Sequence, residues 1–218
     1  MPNETDSPPS SITLTTIDGV QLAGEVMTAR SSQPIRGAVV LAHPHPLYGG
    51  DRLNPVIDAL FRTLPKHGFH TLRFDFRGAG ASFGEHDNGD AERLDIAAGI
   101  DFLSQMDDHG VWVCGYSFGS VVGLNVVEPR VNGWIAVAPP LAALPNPARV
   151  LASSDPRQKL LLVGEHDQFS TPSQVERTTA DWINSQQETI AGVDHFLLGR
   201  TQWIADHVAQ WLKNAEPS

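Results

Sequence analysis

Short, uninterrupted apolar runs alternate along the chain with longer segments in which apolar residues recur at helical spacing. The uninterrupted runs are GAVVLAH (37–43), FHTLRFDF (69–76), VWVCGY (111–116), GWIAVAPP (133–140) and KLLLVGEHD (159–167). Apolar runs of this length without alternation are typical of strands covered on both faces. Because helical patterns separate them, the chain is predicted to form a mostly parallel, doubly wound α/β sheet.

The sheet is predicted to start with an antiparallel pair and to contain about eight strands. SITLTTI (11–17) and VQLAGEVMT (20–28) flank Asp18-Gly19, which is a hairpin signal. A helix is predicted over 173–186, followed by a short strand, QETIAGV (187–193), and a final amphipathic helix. In such a sheet the ligand site lies outside the carboxyl ends of the strands, in the loops that follow them.

The length of 218 residues favours a single domain, predicted over residues 12–215 after a flexible polar tail at 1–11. The tail lacks the pattern of a secretory signal, and no apolar run approaches the roughly 20 residues of a membrane helix. The net charge of 15 − 25 = −10 disfavours binding to nucleic-acid phosphates. The one cysteine, Cys114, lies in an apolar run and is predicted to be a buried thiol. A cytoplasmic protein without membrane or nucleic-acid partners is expected, and the oligomeric state is left open.

The pentapeptide G-x-S-x-G, which can mark a catalytic serine, occurs twice, around Ser82 and around Ser117. A nucleophile of this kind needs a strand that ends at the first glycine and a helix that starts at the serine. Ser117 meets both conditions, since VWVC precedes it and SVVGLNVV follows. Ser82 lies six residues past a strand and before turn-forming residues. Ser117 is therefore the predicted nucleophile.

A serine hydroxyl needs a base to accept its proton and a carboxylate to orient that base. Asp167, at the start of the loop after the strand KLLLVG, is the predicted carboxylate, with Glu165 as the alternative. His195, in the loop after the last strand, is the predicted base. His166 lies between the two candidate acids, and His207 belongs to the apolar stripe of the last helix.

Two backbone N–H groups are needed to stabilise the oxyanion that forms during acyl transfer. One is predicted to be that of Phe118, which follows the nucleophile. The other is expected from HPHPLYGG (43–50), where proline cannot donate; His45 is favoured and Leu47 is the next choice. A metal at His43 and His45 is disfavoured, because two ligands fall short of the three or four that zinc requires.

Several motifs together resemble those of the α/β-hydrolase superfamily, over about residues 12 to 212. They are G-Y-S-F-G (115–119), G-E-H-D (164–167), D-H-F (194–196) and D-F-R-G-A-G-A-S (75–82). HPHPLYGG further resembles a subgroup of small bacterial hydrolases that are distantly similar to dienelactone hydrolases and serine aminopeptidases. The usual His-Gly of the oxyanion loop is His43-Pro44 here, and serine stands where dienelactone hydrolases use cysteine. The resemblance implies an α/β-hydrolase fold, and the short segment 141–158 implies that no lid domain covers the site.

The predicted function is hydrolysis of small or exposed carboxylic esters through an acyl-enzyme, with no cofactor. A set of apolar residues on the site loops is predicted to contact the substrate: Leu47, Tyr48, Phe169 and Phe196. A peptidase or amidase, or a thioesterase or acyltransferase, would use the same three residues. A non-catalytic binding protein on this fold is disfavoured by the intact set of Ser117, Asp167 and His195.

Overall fold

The structure is a computed structural model that describes residues 8–30, 32–144 and 150–215. Within them, eight strands form one sheet in the order β1-β2-β4-β3-β5-β6-β7-β8. The strands are β1 (Ser10–Thr15), β2 (Gln21–Met27), β3 (Gly37–Ala42), β4 (Phe69–Phe74), β5 (Val111–Tyr116), β6 (Val131–Val137), β7 (Gln158–Gly164) and β8 (Ser185–Ile190). β2 pairs antiparallel with β1 and β4, and the remaining neighbours pair parallel. The mostly parallel sheet with an antiparallel start is thus confirmed.

Helices cover both faces of the sheet, which explains why its central strands are uniformly apolar. They are α1 (Pro55–Thr63), α2 (Glu92–Ser104), α3 (Phe118–Leu124), α4 (Pro172–Thr179) and α5 (Thr201–Asn214). On one face, α1 and α5 bury residues such as Phe61 and Val208 against the sheet. On the other, α2 and α3 bury residues such as Ile96 and Val122. Each such side chain stabilises the fold by roughly 1.5–3 kcal/mol of apolar burial.

Two predicted boundaries differ from the structure. β1 begins at Ser10, because Ser10 pairs with Val26, so the strand starts two residues inside the predicted tail; residues 1–7 lie outside the described residues. The helix predicted over 173–186 ends at Thr179, and β8 begins at Ser185. β8 pairs with β7 on one side only and leaves most of its side chains partly exposed, so its sequence lacks a continuous apolar run.

The segment between β6 and β7 is described on both sides of residues 145–149. It contains two 3₁₀ helices, Leu141–Ala143 and Leu151–Ser154, and residues 145–149 lie outside the described residues. In the described parts of the chain, no helix combines the length and the apolar character needed to cross a bilayer. The carboxyl ends of β3, β5, β7 and β8 all open on the same edge of the sheet, because these strands run parallel.

Candidate active site

Ser117 occupies a sharp turn between β5 and α3. Its backbone has φ 52° and ψ −119°, a conformation that costs a non-glycine residue about 1–3 kcal/mol. Both flanking glycines are required by close packing: a Cβ at Gly115 would overlap the backbone of Gly119, and a Cβ at Gly119 would overlap the carbonyl oxygen of Ala42. The pentapeptide therefore places Ser117 at the carboxyl end of β5, at the start of α3.

The structure brings together the three residues that were predicted to act on the substrate. Ser117 Oγ lies 2.8 Å from His195 Nε2, and His195 Nδ1 lies 2.8 Å from Asp167 Oδ2. The alternative acid, Glu165, is instead exposed and accepts a hydrogen bond from the Gly192 N–H at 2.8 Å. A continuous hydrogen-bonded path thus runs from a buried carboxylate through the imidazole to the hydroxyl.

Asp167 is held by the loop that follows it. Its side chain is fully buried, and Oδ1 accepts hydrogen bonds from the N–H groups of Phe169 at 2.8 Å and Ser170 at 3.0 Å. This leaves Oδ2 directed to His195. Because a carboxylate only accepts hydrogen bonds, its contact with Nδ1 selects the imidazole tautomer whose Nε2 can accept the serine proton.

Tyr116, the residue before Ser117, holds the backbone of His195. Its hydroxyl donates a hydrogen bond to the backbone carbonyl of His195 at 3.0 Å. Burial, followed by the nearby charges of Asp167 and Asp194, raises the pKa of Tyr116 to about 12, so the donor proton is retained at neutral pH. Sequence reasoning missed this residue.

The loop from His45 to Gly50 lies beside Ser117. Some of its backbone N–H groups already have hydrogen-bond acceptors, whereas one does not. The Leu47 N–H donates to His45 Nδ1 at 3.3 Å, and the Tyr48 N–H donates to the His45 carbonyl at 3.1 Å. Among the described residues, the His45 N–H has no hydrogen-bond acceptor. The Phe118 N–H, in the first turn of α3, has no intrahelical acceptor either. The centroids of the His45 and Phe118 side-chain rings are 4.8 Å apart.

His43 fixes the start of this loop. Its Nε2 accepts the Phe76 N–H at 2.9 Å, so Nδ1 carries the proton and donates to the Pro44 carbonyl at 2.6 Å. Burial lowers the pKa of His43, which keeps the ring neutral. Both ring nitrogens are engaged, and within the described residues no group of three potential metal ligands occurs.

The second pentapeptide, around Ser82, stabilises the turn after β4. Ser82 Oγ donates to the Asp75 carbonyl at 2.6 Å and accepts the Ala23 N–H at 2.9 Å. A Cβ at Gly80 would overlap the Asp75 carboxylate, so glycine is required there as well. Ser82 therefore ties this turn to β2.

An open cavity of about 1250 Å³ surrounds Ser117. Three of the residues predicted to contact substrate line it: Tyr48, Phe169 and Phe196. The fourth, Leu47, is not among its lining residues; it belongs to the 3₁₀ helix Pro46–Tyr48, and its side chain is 69% exposed. Sequence reasoning did not identify several other lining residues: Asn88, Arg93, Val121 and Leu144.

The sheet order, the strained serine after β5 and the Ser–His–Asp arrangement define the class of α/β serine hydrolases. The family model described as "Hydrolase_4: Serine aminopeptidase, S33" matches residues 33–212, so the chain belongs to this family.

Individual relatives agree with this assignment. An uncharacterised protein of Rickettsia prowazekii is 28% identical over 194 residues, which cover 84% of this chain and 82% of that protein. An α/β serine hydrolase homologue from Coxiella burnetii is 26% identical with a TM-score of 0.84, covering 93% of this chain and 97% of that chain. A lidless α/β serine hydrolase from Xanthomonas campestris is 24% identical with a TM-score of 0.80, covering 98% and 99%. This last likeness concerns the fold alone.

Proposed function

We propose that the protein hydrolyses carboxylic esters, with Ser117 as nucleophile, His195 as general base and acid, and Asp167 as the orienting carboxylate. The observation that carries this proposal is the pair of 2.8 Å contacts that link the three side chains. A serine hydroxyl is a weak nucleophile at neutral pH and gains reactivity only when a positioned base accepts its proton.

The first step forms an acyl-enzyme. His195 Nε2 accepts the proton of Ser117 while Oγ bonds to the ester carbonyl carbon, and the carbonyl oxygen becomes an oxyanion. Asp167 stabilises the resulting imidazolium across its contact with Nδ1. The carbon–oxygen bond to the alcohol then breaks, and the leaving oxygen takes the proton from Nε2.

The second step returns the enzyme to its starting state. His195 Nε2 takes a proton from water as the water oxygen attacks the acyl carbon, and the bond to Ser117 Oγ breaks as Oγ recovers a proton from the imidazolium. In both steps the N–H groups of His45 and Phe118 stabilise the oxyanion. Their lack of other acceptors supports this role, whereas the Leu47 N–H already donates to His45 Nδ1.

The aromatic residues beside His195 indicate the side on which the alcohol leaves. The leaving oxygen must approach Nε2 to receive a proton, so the alcohol lies on the His195 side of Ser117. Phe169 and Phe196 pack on that imidazole, with ring centroids 4.6 and 5.9 Å away, and both are about half exposed. The acyl group then binds in the part of the cavity that is lined by Val121 and Leu144.

Amide hydrolysis is the second candidate, because the family description names an aminopeptidase. An aminopeptidase has to bind a free ammonium group, for which a carboxylate is the natural partner. Among the described residues that line the cavity, the acidic one is Asp90, which pairs with Arg93 at 3.1 Å. Because this carboxylate is 86% exposed, the described lining offers no buried carboxylate for an ammonium group, and ester hydrolysis is the better supported function.

The test combines a covalent probe with a substrate panel. A fluorophosphonate probe should label the wild-type protein at Ser117, as mapped by peptide mass spectrometry. A panel of p-nitrophenyl esters, thioesters and aminoacyl amides of matched acyl length should show the highest kcat/KM for esters. Absence of labelling and of turnover would indicate a non-catalytic protein, and preference for aminoacyl amides would favour the peptidase.

A further inference from the structure

The loop between β4 and α2 contains a segment, residues 86–89, that is anchored by the fully buried side chain of Glu92. Glu92 Oε1 accepts the Asp87 N–H at 2.8 Å and lies 2.6 Å from His86 Nδ1. Glu92 Oε2 accepts the Gly89 N–H at 2.8 Å. The carboxylate thus accepts backbone hydrogen bonds at two positions of the segment and lies at ion-pair distance from the His86 ring, although neither ring nitrogen makes a hydrogen bond within the described residues. A buried carboxylate with these contacts fixes the segment closely.

The anchored segment touches both residues whose N–H groups are proposed to bind the oxyanion. The His86 ring lies 4.8 Å from the His45 ring and 5.4 Å from the Phe118 ring, so the three rings form a triangle. Gly89 lies beside the same phenylalanine, since a Cβ there would come within 3.6 Å of the Phe118 ring. The segment therefore packs behind both donors at once.

His86 itself does not face the substrate. Its side chain is 7% exposed, and it is not among the described residues that line the cavity around Ser117. Any influence on the reaction must act through His45 and Phe118. Such an influence is expected to be large, because oxyanion donors contribute only when they are aimed in advance, and removal of one donor costs on the order of 10²–10³-fold in rate.

We propose that His86, held by Glu92, is a positioning residue that aims the N–H groups of His45 and Phe118 at the oxyanion. This inference rests on the proposed ester hydrolysis. It predicts a specific kinetic signature: loss of the His86 ring weakens binding of the transition state and leaves binding of the ground-state ester largely unchanged.

The experiment compares His86→Ala, His86→Phe and His70→Ala in the full-length protein. His70 is a matched control, because it is also a buried histidine whose Nε2 has no partner among the described residues. It lies near the amino end of β4, away from the edge that carries Ser117. The measurements are kcat and KM for p-nitrophenyl acetate, the Tm, and the Ki of a trifluoromethyl ketone, which forms a negatively charged tetrahedral adduct with an active serine.

His86→Ala is expected to lower kcat about tenfold, with KM within twofold of wild type and Ki raised by a similar factor. His86→Phe, which restores a ring against His45 and Phe118, should recover most of the rate. His70→Ala should lower Tm without changing kcat. Glu92→Gln is a second test, because it keeps the side-chain volume but removes the carboxylate that holds the segment. It should produce the same loss in kcat.

The proposal is overturned if kcat of His86→Ala stays within twofold of wild type, if the loss appears in KM alone, or if His70→Ala shows the same loss. If His86→Ala is too unstable to assay, the kcat of Glu92→Gln decides by the same criterion. Failure of the proposed function has a different result, since the wild-type protein would then neither turn over the ester nor bind the fluorophosphonate probe.

Discussion

The hydroxyl of Tyr116 donates a hydrogen bond to the backbone carbonyl of His195 at 3.0 Å, which joins the end of β5 to the loop that carries the imidazole. These residues are 79 positions apart in the chain. Ser117 follows Tyr116 directly, so this bond links the backbone of His195 to the turn that carries the Ser117 hydroxyl. It is a structural tie between the proposed nucleophile and its base.

Replacement of Tyr116 by phenylalanine should therefore reduce activity without disrupting the sheet. A neutral buried hydrogen bond contributes about 0.5–1.5 kcal/mol, so we expect kcat to fall roughly 2- to 10-fold through looser placement of His195. Steady-state kinetics on p-nitrophenyl acetate and the circular-dichroism spectrum would measure this. Thr71→Val, which removes another buried hydrogen bond to a backbone carbonyl, that of Phe61, at a residue that does not line the cavity, is the control and should leave kcat unchanged. Equal activity of the two variants would exclude a role for the Tyr116 bond.

The raised pKa of Tyr116 predicts a titration and a loss of stability at alkaline pH. In a Tyr48→Phe variant the only remaining tyrosine is Tyr116, so absorbance at 295 nm should report a midpoint near pH 12. Because the unfolded chain ionises its tyrosine near 10, the unfolded state releases this proton first as pH rises. The contribution to stability is full below pH 10 and decreases between pH 10 and 12. A midpoint near 10 in the folded protein would contradict this burial.

The two pentapeptides should respond differently to alanine substitution. Ser117→Ala removes the nucleophile and is expected to lower kcat by more than about 10³-fold, with an unchanged circular-dichroism spectrum. Ser82→Ala breaks the hydrogen bonds to Asp75 and Ala23 and should cost about 1–2 kcal/mol in free energy of unfolding, while most of the activity remains. Urea denaturation and ester turnover on the same preparations would measure both. Full activity of Ser117→Ala would rule out the proposed nucleophile.

The choice between the two carboxylates after β7 can be tested with isosteric amides. Asp167→Asn keeps the size of the side chain, but an amide at Oδ2 favours the wrong imidazole tautomer, so kcat should fall on the order of 10³–10⁴-fold. Glu165→Gln, on an exposed side chain bonded to the Gly192 N–H, should stay within about twofold of wild type. The measurement is kcat at neutral pH for both variants. Comparable losses would mean that Glu165 also contributes to orienting the base.

The sheet and the position of Ser117 were predictable because their signals are local. VWVCGY is a buried strand by composition alone, and the glycines around Ser117 are spaced as a tight strand–helix turn requires. The chain order of serine, acid and histidine then reduced the choice of Asp167 and His195 to a few loop residues. The start of β8 was missed because an edge strand with partly exposed side chains resembles the end of a helix in sequence.

The supporting residues could not be predicted, because their roles depend on contacts between distant segments. Tyr116 reads as the last residue of a buried strand, and its partner is a backbone carbonyl, which leaves no trace in sequence. His86 lies in a polar stretch with the composition of an exposed turn. Its ring packs against His45 and Phe118, which are far away in the chain, and its partner Glu92 has the sequence signature of an ordinary first-turn helix carboxylate. Long-range packing decided both cases.

Phe169 offers a test of where the alcohol leaves. Its ring packs edge-on against His195, with centroids 4.6 Å apart, and its exposed half lines the cavity. Phe169→Ala should therefore reduce kcat/KM about 3- to 10-fold more for phenyl acetate than for ethyl acetate, because only an aromatic alcohol gains from contact with this ring. Phe83→Ala is the matched control, since Phe83 is exposed and is not among the described residues that line the cavity. Equal losses on the two esters would mean that Phe169 orients His195 and does not contact the leaving group.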